Sequence, residues 1–256
     1  MGERTSYAPG AFCSVGLATS DPQAAKAFYT ALFGWEPEDA AGGAFTILKL
    51  GGKEVAILYR QTAEARAAGA PPHWTSFVSV EDADATAARA GELGGAAVFR
   101  EPFDVLDAGR IAAIRDPAGA ILSLWQPGAR PGAALVNDVG AWCWNELVTP
   151  DPAGARGFYA RLLGWDYEEQ EGGYTLIVNA DRRNGGIRGQ TDQERGNPPS
   201  WVPYFTVAAI EEAAGRAEAA GGRTLVPGTE VAIGRIAAVA DPQSAVFCLF
   251  EGETDP

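Results

Sequence analysis

The sequence predicts an α+β fold built twice in tandem, and three observations carry that expectation. Phe12–Trp35 (FCSVGLATSDPQAAKAFYTALFGW) aligns without a gap on Trp142–Trp165 (WCWNELVTPDPAGARGFYARLLGW), with 11 of 24 positions identical. Gly109–Leu124 aligns on Gly234–Leu249 at 9 of 16 positions, and the segment HWTSFVSV from His73 is echoed by SWVPYFTV from Ser200. Each copy also mixes helices and strands in a β-α-β-β-β order, with few parallel-crossover signals. Ordered blocks at a nearly constant offset mark an internal repeat. The chain therefore divides into modules at 1–130 and 131–256, joined by the Pro/Gly-rich stretch QPGARPGAAL.

The first strand, Phe12–Thr19, runs into Asp21-Pro22, a helix cap followed by proline at the first helical position. The helix extends to Leu32 and stops at Gly34. Short strands are expected at Phe45–Leu50 and Val55–Tyr59, followed by a Gly/Pro/Ala loop that reaches His73. A strand at Trp74–Val80 meets an Asp-rich start and an Ala-rich helix ending at Gly94-Gly95. Strands near Ala97–Glu101, Arg110–Arg115 and Ala120–Trp125 complete the unit. The second module repeats the plan, with helices near 152–163 and 210–220.

Composition narrows the function. Across 256 residues the net charge is −13, which argues against a nucleic-acid or anionic-membrane surface. No apolar run reaches the roughly 18 residues of a membrane span, and no signal-peptide pattern opens the chain. Three Cys do not make a disulfide framework, so a cytoplasmic location is expected. The single histidine, His73, excludes any mechanism that needs two imidazoles from one chain.

The string of strand, Asp-Pro, Phe-Tyr, Leu and Gly-Trp, followed by a Gly-Arg strand, a second Asp-Pro and a final strand, resembles the vicinal oxygen chelate superfamily. Glyoxalases, extradiol dioxygenases and bleomycin-resistance proteins belong to it, and the likeness is nearest to its two-module bacterial members. The resemblance implies tandem glyoxalase-like modules, each of paired βαβββ motifs whose curled, cup-shaped mixed sheet closes over a ligand. It also implies a divalent metal held by two His (or His and Gln) and Glu on the first, fifth and eighth strands. Those positions here are Ser14, Thr75 and Ser123 in one module and Trp144, Val202 and Cys248 in the other. None is a good hard-metal ligand, so no metal and no cofactor are expected.

Strand side chains alternate faces, so residues two away from a cup position also face the cup. That rule places Trp142, Trp144, Glu146, Val202, Tyr204, Cys248 and Phe250 in the second cup. It places Phe12, Ser14, Thr75, Phe77, Ser123 and Trp125 in the first, with His73 at its rim. Cys13 and Cys143, of opposite parity, are expected as buried thiols. Phe28-Tyr29, Phe158-Tyr159, Trp35 and Trp165 read as helix-to-sheet core, and Arg110 and Arg235 as structural pairing.

Aromatic cups with few polar groups suit flat, partly apolar organic ligands. The expected function is metal-independent binding of an aromatic or natural-product-like small molecule, for sequestration or resistance, by a monomer or homodimer. The alternative is a metal-free enzyme of secondary metabolism (a cyclase, isomerase, lyase or so-called hydroxylase) with Glu146 as its acid or base. A metal enzyme with unusual ligands, Glu146 and Glu251, is the third reading.

Overall fold

A computed structural model describes residues 2–98 and 101–254. The first half contains β1 (Phe12–Thr19), α1 (Pro22–Phe33), β2 (Glu36–Ala40), β3 (Phe45–Leu50), β4 (Lys53–Arg60) and α2 (Ala63–Ala67). It continues with β5 (His73–Ser79), α3 (Ala83–Glu92), β6 (Ala96–Ala97), β7 (Phe103–Val105), β8 (Gly109–Arg115) and β9 (Ile121–Pro127). These strands form one sheet in the order β2-β3-β4-β1-β5-β9-β8-β6, with β7 also on β8. Two βαβββ units meet where β1 runs antiparallel to β5, while β4 lies parallel to β1 and β9 parallel to β5.

The second half repeats this architecture with β10 (Trp142–Thr149), α4 (Pro152–Leu163), β11 (Asp166–Glu169), β12 (Thr175–Asn179), β13 (Arg182–Gly189), β14 (Ser200–Thr206), α5 (Ile210–Ala219), β15 (Arg223–Val231), β16 (Gly234–Ala240) and β17 (Val246–Gly252). Its sheet runs β11-β12-β13-β10-β14-β17-β16-β15. The result is the expected α+β pair of mixed sheets, neither closed into a barrel. Of the strand expected near Ala97–Glu101, the structure shows Ala96–Ala97, while Phe99 and Arg100 lie outside the described residues. Among the described residues no helix is long and apolar enough to cross a membrane.

The repeated helix has the same start and stop in both halves. Asp21 accepts hydrogen bonds from the Gln23 and Ala24 amides, and Asp151 accepts one from Gly154, with proline at the first helical turn each time. Gly34 and Gly164 end the helices at φ 74° and 73°, a left-handed conformation that a glycine adopts without a Cβ clash. Arg110 and Arg235 take the structural roles expected of them. They pair with Asp84 and Asp104, and with Glu211, Glu230 and Glu251, so that each ties a helix to its sheet.

A bulge in each first strand corrects the parity rule. The pairing of β1 with β5 slips between Phe12 and Ser14, and that of β10 with β14 slips between Trp142 and Trp144. An extra residue in one strand inverts the facing of everything beyond it. Phe12 and Trp142 therefore point away from the cups into the common core. The Phe12 ring lies 5.4 Å from Trp165 and 5.1 Å from Trp201. Cys13 is fully buried, as expected, but Cys143 packs with Trp144 on the cup face.

The two sheets pack back to back through their helix-bearing faces, and one hydrophobic core spans both. Its polar centres are reciprocal. The Trp74 indole N–H donates to the Tyr29 hydroxyl at 3.0 Å, and Tyr29 donates to Asp241 of the other half at 3.1 Å. Trp201 donates to Tyr159 at 3.1 Å, and Tyr159 donates to Asp116 at 3.2 Å. Trp35 and Trp165 each donate to a backbone carbonyl across the seam, Gly140 and Gly10, both at 2.7 Å. Tyr29→Phe or Tyr159→Phe strands an indole N–H and a carboxylate oxygen in the core. Each is expected to cost about 1–3 kcal/mol, read by urea denaturation, with nearly equal losses because the sites are equivalent.

Candidate functional site

The second cup lies on the face of the β10–β17 sheet away from the helices. Tyr204, Cys248 and Phe250 form its floor, with Trp144, Val202 and Cys143 packed against them. Tyr204 and Cys248 are neighbours across parallel strands β14 and β17. Six of the seven residues expected here are thus brought together, Trp142 being the exception.

Glu146 rises from β10 into this cup at 6% exposure. Arg188 on β13 donates through Nε to Glu146 Oε1 at 2.7 Å. Its Nη1 and Nη2 grip the two oxygens of Glu194 at 2.7 and 2.8 Å, a forked ion pair. Glu194 belongs to the loop between β13 and β14, where the Thr191 amide and hydroxyl also donate to it at 2.8 and 2.9 Å. The Trp144 indole donates to the Tyr174 hydroxyl at 3.0 Å, and the neighbouring Glu146 carboxylate contributes to raising that phenol. Tyr174 reaches the cup because Gly186, opposite Glu146 across β10 and β13, has no side chain: a Cβ there would fall 1.9 Å from the tyrosine oxygen.

These contacts fix protonation. The Arg188 guanidinium holds the Glu194 carboxyl down at about 2, and Glu194 in turn raises Arg188 further above its usual value. Burial raises the phenols of Tyr174 and Tyr204, so both remain donors. Burial also pushes the thiols of Cys143 and Cys248 up to about 12. Burial thus favours the neutral thiol at both positions, against a nucleophilic role for Cys248.

The first cup is built differently. Gly16 occupies the place of Glu146, and a Cβ on it would meet Phe77 at 2.9 Å and Ile57 at 3.0 Å. Phe77, Ile57 and Tyr59 therefore crowd the region that charged groups fill in the second cup. Ser14, Thr75, Phe77 and Ser123 are buried on adjacent strands, and Trp125 anchors its indole N–H on the Arg130 carbonyl at 2.9 Å. The Ser14 hydroxyl has no partner among the described residues. His73 stands at the mouth of β5 with Nδ1 2.9 Å from the Pro71 carbonyl.

The positions that would carry a metal hold three neutral hydroxyls in one cup and an indole, an isopropyl group and a protonated thiol in the other. Among the described residues no three His, Cys, Asp or Glu side chains gather at metal-binding distance. Glu251, the other carboxylate considered, is engaged by Arg235 and by the Ile210 amide that opens α5. The donor set does not fit a divalent ion. Two small cavities, of about 100 and 190 Å³, lie along the seam between the sheets beside Phe33 and Thr206 and beside Asp116 and Pro150. The convergence of aromatic rings and polar groups is in the cup, which is therefore the candidate site.

Arg188, Glu194 and Tyr174 were not legible as site residues. β13 reads RRNGGIRG, with no apolar alternation to announce a strand. The available signal was the Gly185-Gly186 pair, since glycines inside a strand mark close approach by another group.

Comparison with known proteins agrees with this architecture. Residues 12–124 match the model of the Glyoxalase/Bleomycin resistance protein/Dioxygenase superfamily, and residues 132–250 match that of a glyoxalase-like domain. "Putative glyoxylase CFP32" of Mycobacterium tuberculosis is 35% identical over 260 residues, covering 98% of both chains. "Anthracycline biosynthesis protein DauV" of a Streptomyces species is 33% identical over 267 residues, covering 96% of this chain and 95% of that one. Among solved structures, the Mn(II)-bound glyoxalase of Novosphingobium aromaticivorans superposes with a TM-score of 0.66 at 16% identity, covering 97% of this chain and 85% of the other. The 2,3-dioxygenase LapB of Pseudomonas sp. KL28 gives 0.65 at 11%, with coverage of 96% and 93%. At such identities the likeness shows the fold.

The ion pair of Arg188 and Glu194 has a pH signature. Because the folded-state carboxyl sits below its ordinary value of 4.5, its stabilising contribution is present above that pH and is lost as pH falls toward about 2. Carboxyl ¹³C NMR of Glu194 is expected to titrate with a midpoint near 2, moving back toward 4.5 in Arg188→Gln. A wild-type midpoint near 4.5 would show the pair unformed in solution.

Proposed function

Because this chain belongs to the glyoxalase/bleomycin resistance protein/dioxygenase superfamily, we propose that it is a metal-independent binding protein for a flat aromatic small molecule, held in the second cup. The observation that carries the reading is the network of Trp144, Tyr174, Glu146 and Arg188. An indole, a phenol, a buried carboxylate and an oriented guanidinium converge in this cup. Aromatic surface supplies affinity and the few polar groups supply orientation, the usual division of labour in a small-molecule site. The relative from anthracycline biosynthesis suggests a polycyclic ligand of secondary metabolism.

Glu146 bears on the competing enzyme reading. Its carboxylate is held by Arg188 Nε, so it orients the guanidinium. An ion-paired carboxylate that positions a guanidinium has a role that needs no proton transfer. Binding without turnover is the simpler use of this geometry.

An anthracycline aglycone titrated into the protein is expected to quench tryptophan fluorescence saturably, with affinity unchanged by EDTA. Trp144→Ala is expected to weaken binding about tenfold or more, the loss typical of a buried aromatic anchor. Full affinity in Trp144→Ala would move the site out of the second cup, and loss of binding with EDTA would refute metal independence.

A further inference from the structure

On the reading of the second cup as a site for an aromatic molecule, we propose that Arg188 is an anion receptor whose built-in occupant is Glu194, and that the ligand is an aromatic carboxylate that takes the place of Glu194. The fork formed by Nη1 and Nη2 of Arg188 on both oxygens of Glu194, at 2.7 and 2.8 Å, has the planar two-point geometry with which a guanidinium recognises any carboxylate. The third donor, Nε, is committed to Glu146, which fixes the plane in which the fork faces.

The two carboxylates are not equally exchangeable. The Glu146 side chain is 7% exposed, and displacing it would strand a charge beneath the aromatic rings. The Glu194 side chain is 31% exposed at the rim, on a loop outside the sheet. When it leaves Arg188, the Thr191 amide and hydroxyl still hold one of its oxygens and water reaches the other. An incoming carboxylate leaves the site with the same charges as before: one guanidinium, buried Glu146 and one anion in the fork. The aromatic part of the ligand then lies toward Trp144 and Tyr174. The equivalent place in the first sheet, paired with Ala18 as Arg188 is with Val148, holds Tyr59. The receptor is thus particular to the second cup.

The test compares 2-naphthoate with its neutral isostere 2-naphthamide, by calorimetry on the intact protein. Wild type is expected to prefer the acid. Glu194→Gln, which removes the competing charge but keeps the shape, should tighten 2-naphthoate about tenfold, since an intramolecular competitor acts at millimolar effective concentration. Binding of 2-naphthamide should stay within about twofold. Asp192→Asn makes the same charge change two residues away, where the partner is Arg195, and is expected to change neither. Arg188→Gln should abolish the preference for the acid. Equal tightening in Asp192→Asn and Glu194→Gln would reduce the effect to general electrostatics and overturn the proposal. Equal affinity of the two probes for wild type and Glu194→Gln would overturn it while leaving aromatic binding intact. Absence of binding of both probes to both wild type and Glu194→Gln would overturn both readings.

Discussion

Everything in this molecule hangs on two buried polar relays that cross between its halves. In each, an indole N–H is satisfied by a tyrosine hydroxyl, and that hydroxyl is satisfied by an aspartate of the opposite module. The aspartates are those of the second Asp-Pro turn. Their other oxygens accept the backbone amides of Gly119 and Ala120, and of Gln243 and Ala245. Burial raises both carboxyls above their ordinary value, so the relays add specificity to a seam whose affinity comes from the surrounding rings. A polar chain of this kind is satisfied in one relative placement of the sheets only. That placement turns both helix-bearing faces inward and leaves both cups facing out.

The interlock explains why the repeat is visible at all. Tyr29 and Tyr159, Trp35 and Trp165, and Asp116 and Asp241 serve the seam, and a seam between two copies of one motif needs the same residues twice. The cup residues of the second sheet form a cluster separate from the shared core, so nothing in the seam holds the two cups alike. Gly16 and Glu146 occupy one place in the repeat, as do Tyr59 and Arg188, and they share no chemistry.

This difference also sets what could be read from sequence. The helices were legible because their signals are local: an Asp-Pro start, an apolar stripe and a Gly stop. Ser14, Thr75 and Cys248 were placed by the family resemblance, and Phe77 and Tyr204 followed from them by alternation. Phe12 and Trp142 did not, because a one-residue slip in pairing leaves no mark in the strand that carries it and reverses every facing on its far side. β2 was invisible for another reason: EPEDA is an exposed edge strand with no buried face to pattern it. Glu194 reaches Arg188 from a polar loop, where neither periodicity nor turn chemistry gives a side chain a direction.

The repeat supplies a control on the meaning of the charged cup. An ion pair withdrawn from water is weak evidence for stability, since well-packed apolar residues of similar volume serve the fold as well or better. The first sheet makes that substitution within the same chain: Gly16, Ile57, Phe77 and Tyr59 fill by contact the region that Glu146, Arg188 and Tyr174 fill by charge and hydrogen bonds. The scaffold therefore closes without the ion pair, and its presence on one side calls for a reason other than folding. A guanidinium fixed from below by a buried carboxylate, and covered from above by a half-buried one at the rim, is organised for contact with something that arrives from solvent. Had the pair been structural, the less exposed carboxylate would be expected to take the two-point fork and the rim residue the single bond. The reverse is found, with the stronger geometry aimed outward.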